Sequence, residues 1–506
     1  MVSRFWRWPL LAVAVAMGAL LVGCGSSSDS SSSSGDAGFT GDAVSNVDLA
    51  STRSVKSPIN SGNVAELEEI WSNPINGTGV YGSYASTPVI AGGVIYSQDL
   101  ESNVQAIDLE SGDVLWTKKY ESPSHGPNGL AVADGHVYGA TASEAFALDQ
   151  ETGKDVWQVE LGGAIDMAPG VNDGQVYVST VPETPAAEYE AGEVGTLWVM
   201  DGKTGKKLWH WDTVPKSLWG KPKVNSGGGL WYPPSFDSKG FVYAGTGNPA
   251  PLPGAKGEPF GSSRPGPNLY ADSLVKLDPK TGKLVWYYQE TPHNIYDWDF
   301  QNSPIITKAG GKEVAVGSGK SGFVVAVDVK TGKPVWRTSV GKHNGHDEDN
   351  MLAMRGEYNK IKPGEVFPGS LGGAVALAAS DGRRIYVPVV NHSATLINGE
   401  ETSEESAATG EVVALDLATG KIVWQAELPQ PAYGSLLVSN DVVFATSADG
   451  VIHALDSAKG GEVWQAALPS GTNAGVMISG DTLVAGAGLP LAEGQLPKLV
   501  AYKLGG

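Results

Sequence analysis

Apolar and polar positions alternate with period two along most of this chain, in short runs cut by glycine-bearing turns. "STPVIAGGVIYSQ" (86–98) and "GLAVADGHVYGAT" (129–141) are two such runs. This pattern predicts β-hairpins rather than helices. One phrase recurs seven times, as in "AIDLESGDVLW" (106–116), "ALDQETGKDVW" (147–157) and "ALDLATGKIVW" (414–424). Each copy has an aspartate, a glycine four residues on and a tryptophan eight residues on. The aspartates are Asp108, Asp149, Asp201, Asp278, Asp328, Asp416 and Asp456. The Asp carboxylate can cap the amides of a tight turn, and the Gly supplies the positive φ that reverses the chain. The Trp ring is large enough to fill the space between neighbouring units. A degenerate copy, "NVAELEEIW", precedes them with Asn63 in the Asp place and Trp71 at its end.

About four strands per unit, repeated eight times, predicts an all-β, eight-bladed β-propeller with tryptophan docking motifs. A seven-bladed ring, if the Asn63 copy is no blade, and an open solenoid are the alternatives. The chain ends in the lone strand "KLVAYKL" (498–504), which could pair with the N-terminal unit and close the ring. Successive aspartates lie 40 to 52 residues apart, except for gaps of 77 after Asp201 and 88 after Asp328. Long insertions in a repeat fold collect on the working face. Within the second, "GKHNGHDEDN" (341–350) offers two His and three acids, but a spacing that fits no standard metal site.

The N-terminus adds an address. Arg4 and Arg7 precede a short apolar run that ends at "LVGC", which reads as an export signal over 1–24. "LVGC" resembles a bacterial lipobox, in which Cys24, the only cysteine, would be lipidated. The expected product is exported and anchored to the cell envelope by lipid alone. A Ser-rich tether is expected over 25–54 and the propeller over 55–506. With 35 Lys and Arg against 55 Asp and Glu, the net charge is −20, which argues against nucleic acid or anionic membranes as partners.

The first insertion carries a more specific pattern: "VYAGTGNPAP" (242–251), then "RPGPNLYADSLVKLDPKTGKLVWYYQETPHNIYDWDFQNSPI" (264–305). With the repeated Trp phrase, these residues resemble the pyrroloquinoline-quinone (PQQ) dependent alcohol dehydrogenases, over roughly 55–506. The resemblance implies PQQ in the central funnel with Ca²⁺ beside it, an alcohol substrate and an external electron acceptor. It implies Trp231 as the stacking floor, Asn248 as a calcium ligand with Glu190 or Glu193, and Lys320 at the quinone oxygens. It also brings a departure. The family's proton-accepting Asp in this loop is Pro267 here, which can take no proton. Asn128 and Ala85 stand where the family has Arg and Glu, its adjacent-cysteine disulfide is absent, and no haem-attachment motif is present. Asp272, Asp297 and Asp299 are the candidate substitute bases. The competing expectation is a non-catalytic lipoprotein that binds an envelope protein, like the propeller of the barrel-assembly machinery. A sugar- or polymer-binding propeller has only cleft aromatics such as Trp231, Tyr232 and Trp298 in its favour.

Overall fold

The computed structural model describes residues 41–182, 190–397, 400–402 and 408–505; Cys24 lies outside them. Eight blades, each built on four antiparallel strands, follow one another along the chain among the described residues; short extra strands extend three of them, and a separate three-stranded sheet lies in the insertions around blade 6. Blades 1 to 7 occupy residues 89–118, 131–160, 170–212, 235–289, 305–339, 379–428 and 437–467. Blade 8 combines Met477–Ser479, Thr482–Ala487 and Lys498–Leu504 with the N-terminal strand Leu67–Pro74, which pairs from Leu67 opposite Leu504 to Pro74 opposite Lys498. The Asn63 copy is thus a true blade edge, and the lone C-terminal strand closes the ring. The first strands of blades 8, 1, 2 and 3 lie against one another in turn around the channel.

The repeat explains the spacing of the blades. In each of the seven regular hairpins the Asp Oδ1 accepts backbone N–H groups of the turn, as Asp201 does from Thr204 at 2.9 Å. The Gly four residues on has φ between +65° and +76°. A Cβ there would lie 2.4–2.9 Å from the indole of the preceding blade, so only glycine lets the ring lie flat against the turn. The same indole donates Nε1–H to a carbonyl of the next blade: Trp71 to Leu109 at 3.0 Å, Trp157 to Gly202 at 2.7 Å, Trp424 to Ser457 at 3.0 Å. At the junction of blades 7 and 8 the glycine is missing, and Trp464 packs edge-on against Tyr502 at 6.1 Å.

Strand order fixes which loops share a face. In a four-stranded antiparallel blade the 1–2 and 3–4 turns lie at one end. The 2–3 turns and the connections from strand 4 to the next blade lie at the other. The Asp hairpins are 3–4 turns and occupy one face. Both long insertions fall in connections of the opposite kind: 213–234 and 246–272 around blade 4, 340–378 and 392–408 around blade 6.

One expectation is corrected. The tether expected over 25–54 ends earlier, because residues 43–55 form a bound strap. Ala43–Val44 pairs with Val132 and Ala131, and Ser54–Val55 with Val438 and Ser439. Between them, carbonyls of Leu49, Ala50, Thr52 and Arg53 accept the N–H groups of Phe236, Ile306, Ser380 and Val438. First strands otherwise present an unpaired edge to the channel, and the strap satisfies it. Arg53 is fully buried and donates to the carbonyls of Leu436 at 2.5 Å and Ser45 at 2.6 Å. Burial lowers it to about 10.

Candidate functional site

The face that carries the insertions gathers side chains from nearly every blade junction. Tyr81 comes from the connection of blades 8 and 1, His125 from 1–2, Asp166 from 2–3, Trp231 from 3–4, Asp297 and Asp299 from 4–5, and Tyr433 from 6–7. Asn248 and Asp272 follow strand 2 of blade 4, and Lys320 follows strand 2 of blade 5.

At the centre stands an ion triad. Lys320 Nζ lies 2.9 Å from Asp297 Oδ2 and 2.6 Å from Asp299 Oδ2. Burial alone would lower the lysine, but the two carboxylates outweigh it and hold the ammonium above its ordinary range. Asp299 also accepts the backbone N–H of Asn248 at 2.6 Å. A Cβ on Gly247 would lie 3.0 Å from Trp231 Nε1 and 3.2 Å from Asp299 Oδ1, so the glycine lets indole edge and carboxylate come together. Trp231, Asn248, Asp299, Asp297 and Lys320 therefore meet, although they lie up to 89 positions apart. Trp231 and Tyr232 are half-buried. The Tyr232 and Tyr433 phenols are pushed up to about 12, mainly by burial, and both feel the Lys320 charge.

Accessibility separates the three candidate carboxylates. The Asp297 side chain is 23% exposed and that of Asp299 1%. Asp272 is 0% exposed; it accepts Asn294 Nδ2–H at 3.1 Å, and its Oδ2 has no hydrogen-bond partner among the described residues. Burial, then the Asp299 charge, push Asp272 well above the usual carboxylate range. The folded chain thus retains a proton that the unfolded chain releases above about pH 4. Asp272 stabilises the fold most at low pH, and this contribution falls as pH rises, by about 1.4 kcal/mol per pH unit until the folded-state group ionises. Asp272→Asn, which mimics the protonated acid, is expected to gain stability relative to wild type between pH 4 and 8. Urea midpoints across that range check this, and parallel pH profiles would contradict it.

Side-chain contacts brace the loop that bears Asp297 and Asp299. Asn294 Oδ1 accepts the N–H groups of Tyr296 at 3.0 Å and Trp298 at 3.1 Å, and Asn350 Oδ1 accepts that of Ile295 at 2.9 Å. Tyr296 donates to Asp349 at 2.6 Å, and Trp298 Nε1 to the Pro368 carbonyl at 3.0 Å. The His- and acid-rich segment 341–350 forms two separate pairs, His343 with Asp347 at 2.8 Å and His346 with Asp349 at 2.7 Å. It serves as this brace. The neighbouring "RPGPNLY" loop is equally fixed. Arg264, fully buried, donates to Asn268 at 2.5 Å and to the carbonyls of Asn294 at 2.6 Å and Pro251 at 3.1 Å, while Pro267 is exposed.

For the expected calcium ligands the backbone gives a partial result. Val194, Gly227 and Pro249 lie side by side on three neighbouring strands, which brings the Glu193 and Asn248 backbones near each other. Glu190 lies just beyond the undescribed residues 183–189. Among the described residues no three His, Cys, Asp or Glu side chains cluster in a way that could hold a metal ion. Asn128, in place of the expected arginine, spends its amide on the Asp99 carbonyl at 2.7 Å. Sequence reasoning missed Tyr81, His125, Asp166 and Tyr433. Their common signal is position, each between an outer-strand Trp and the next inner strand.

Fold and funnel define a propeller with one polar, aromatic-lined mouth. The model of the glucose/ethanol/alcohol dehydrogenase β-propeller domain matches residues 47–344, and that of the outer membrane protein assembly factor BamB matches 368–504. The chain belongs to the PQQ-dependent alcohol dehydrogenase β-propeller family. It is 33% identical over 320 residues to a quinohemoprotein alcohol dehydrogenase of Comamonas testosteroni, covering 55% of this chain and 43% of that one. It is 29% identical over 310 residues to the quinoprotein alcohol dehydrogenase PedH of Pseudomonas putida, covering 52% and 49%. The matched region thus spans less than half the length of these curated relatives. The crystal structure of the Comamonas testosteroni enzyme superposes with a TM-score of 0.77 at 25% identity over 93% of this chain and 82% of that one. BamB of Moraxella catarrhalis shares the fold at a TM-score of 0.53 and 14% identity, over 86% and 97%.

Proposed function

We propose that this chain is an exported, envelope-attached quinoprotein that oxidises small alcohols with PQQ and passes the electrons to an external acceptor. The observation that carries this reading is the Lys320 ammonium held by Asp297 and Asp299 beside Trp231. A half-buried indole next to a fixed cation suits a flat, anionic quinone. Lys320, with its side chain 16% exposed, would donate to the quinone oxygens, and Trp231 would stack on the ring. When bound, PQQ would accept the two electrons of the oxidation. Asp299 and the Asn248 amide keep the lysine in place. Asp297, the most open of the three carboxylates, would hold the lysine from its second side.

Calcium fits less well. The loop carboxylate is Pro267, which leaves the Asn248 amide oxygen and the Glu190 or Glu193 carboxylate as the protein's donors. Ca²⁺ takes six to eight oxygens, so no step is assigned to it. Cys24 remains the proposed lipid attachment. The second reading, a scaffold that binds an envelope protein, draws on the BamB match over 368–504 and on Pro267. To separate the two, PQQ would be titrated into the full chain with calcium and with chelator, followed by quinone absorbance, then alcohols and an artificial dye acceptor added. Binding in both conditions with dye reduction supports the enzyme. No absorbance change at all supports the scaffold.

A further inference from the structure

The funnel holds a second acid–base pair that the reading above leaves unused. His125 and Asp166 lie in the two connections that flank blade 2. The Asp166 side chain is 5% exposed. It accepts the His125 backbone N–H at 3.1 Å and the Ser124 hydroxyl at 3.2 Å. Burial raises this carboxyl against the pull of His125 and its hydrogen bonds. The His125 side chain is 37% exposed, with Nδ1 3.8 Å from Asp166 Oδ2. At this separation the pair is electrostatic rather than hydrogen-bonded: the buried carboxylate anchors the His125 backbone and favours Nδ1 on its own side, which would leave Nε2 for a substrate. Tyr81 ties this pair to the ion triad. Its ring is 52% exposed, and its phenol feels the charges of Lys320, Asp297 and Asp166 together. Both pairs lie in connections on the same, insertion-bearing face, within electrostatic reach of Tyr81. In the triad, by contrast, both aspartates are already engaged by the same Lys320 ammonium, and Asp272 is sealed from solvent.

We propose that His125, positioned by Asp166, accepts the alcohol's hydroxyl proton in this chain, in place of the aspartate lost at Pro267. This rests on the quinone reading above. The alcohol's O–H bond breaks and its proton goes to His125 Nε2. The bound quinone would supply the two-electron acceptor for the hydrogen and electron pair of the C–H bond, so that an aldehyde or ketone would leave. His125 then returns its proton to water. Asp166 and Tyr81, with Lys320 and Asp297 of the triad, are the titratable groups on this face around the step.

The test uses the full chain with PQQ, a primary alcohol and a dye. His125→Gln is expected to bind PQQ within threefold of wild type by absorbance and to reduce dye at least about 10²-fold more slowly. It should also lose the rise of rate with pH that a base of this kind imposes. Asp166→Asn should fall between the two, with the pH profile shifted. A readout independent of turnover is carbethoxylation of His125, followed by peptide mass spectrometry. PQQ should protect His125 and leave His136, on an opposite-face turn, reactive. If His125→Gln turns over within threefold of wild type, or if PQQ leaves His125 modification unchanged, the proposal is wrong although the quinone reading stands. If the wild type shows no quinone absorbance change, that reading fails, and this proposal with it.

Discussion

Lys320→Met is expected to lower stability by about 3–5 kcal/mol at neutral pH and to abolish PQQ binding. The substitution leaves two carboxylates facing each other without their shared cation, and Asp299 has no access to water that could compensate. Each carboxylate can be relieved separately. Lys320→Met combined with Asp299→Asn should recover most of the lost stability, because the remaining charge, Asp297, is the more exposed one. It should not recover quinone affinity, since the funnel then lacks the cation. Urea unfolding of the two variants, with a PQQ titration of each, separates the structural role of the lysine from its binding role. Equal stability of Lys320→Met and wild type would mean that the ion triad contributes nothing to the fold.

The second large effect is expected at a blade junction. Trp157 is 8% exposed, packs against Gly205 and donates to the Gly202 carbonyl at 2.7 Å. Trp157→Ala removes the wedge between blades 2 and 3 and should cost about 3–5 kcal/mol. Gly205→Ala should destabilise from the other side, by about 1–3 kcal/mol. Its new Cβ would sit 2.8 Å from the ring on a residue whose φ is +69°. Chemical unfolding checks both. If the double variant costs less than the sum, the two residues form one contact, as their packing requires.

The blade number was legible because the information is local. Asp, Gly and Trp sit within nine residues of each other, and each does its work inside one hairpin or across one junction. Even the degenerate Asn63 copy could be placed, because Trp71 still marks the junction. The strap over 43–55 was not legible. Its segment has no period, and its hydrogen bonds go to first strands as distant as Val438. The funnel was legible only through resemblance. Trp231, Asn248, Asp299 and Lys320 belong to four different connections, and nothing in their spacing brings them together. The same holds more strongly for His125 and Asp166, which sit where no motif marks them. Burial separated Asp272 from Asp297, a distinction that sequence proximity could not make.

A crystal structure of the protein soaked with PQQ tests most directly whether a quinone lies over Trp231 with Lys320 at its oxygens. Quinone density is expected stacked on the Trp231 indole, with Lys320 Nζ within hydrogen-bond distance of the quinone oxygens. An empty funnel at saturating PQQ, with Lys320 still bridging Asp297 and Asp299, would contradict it.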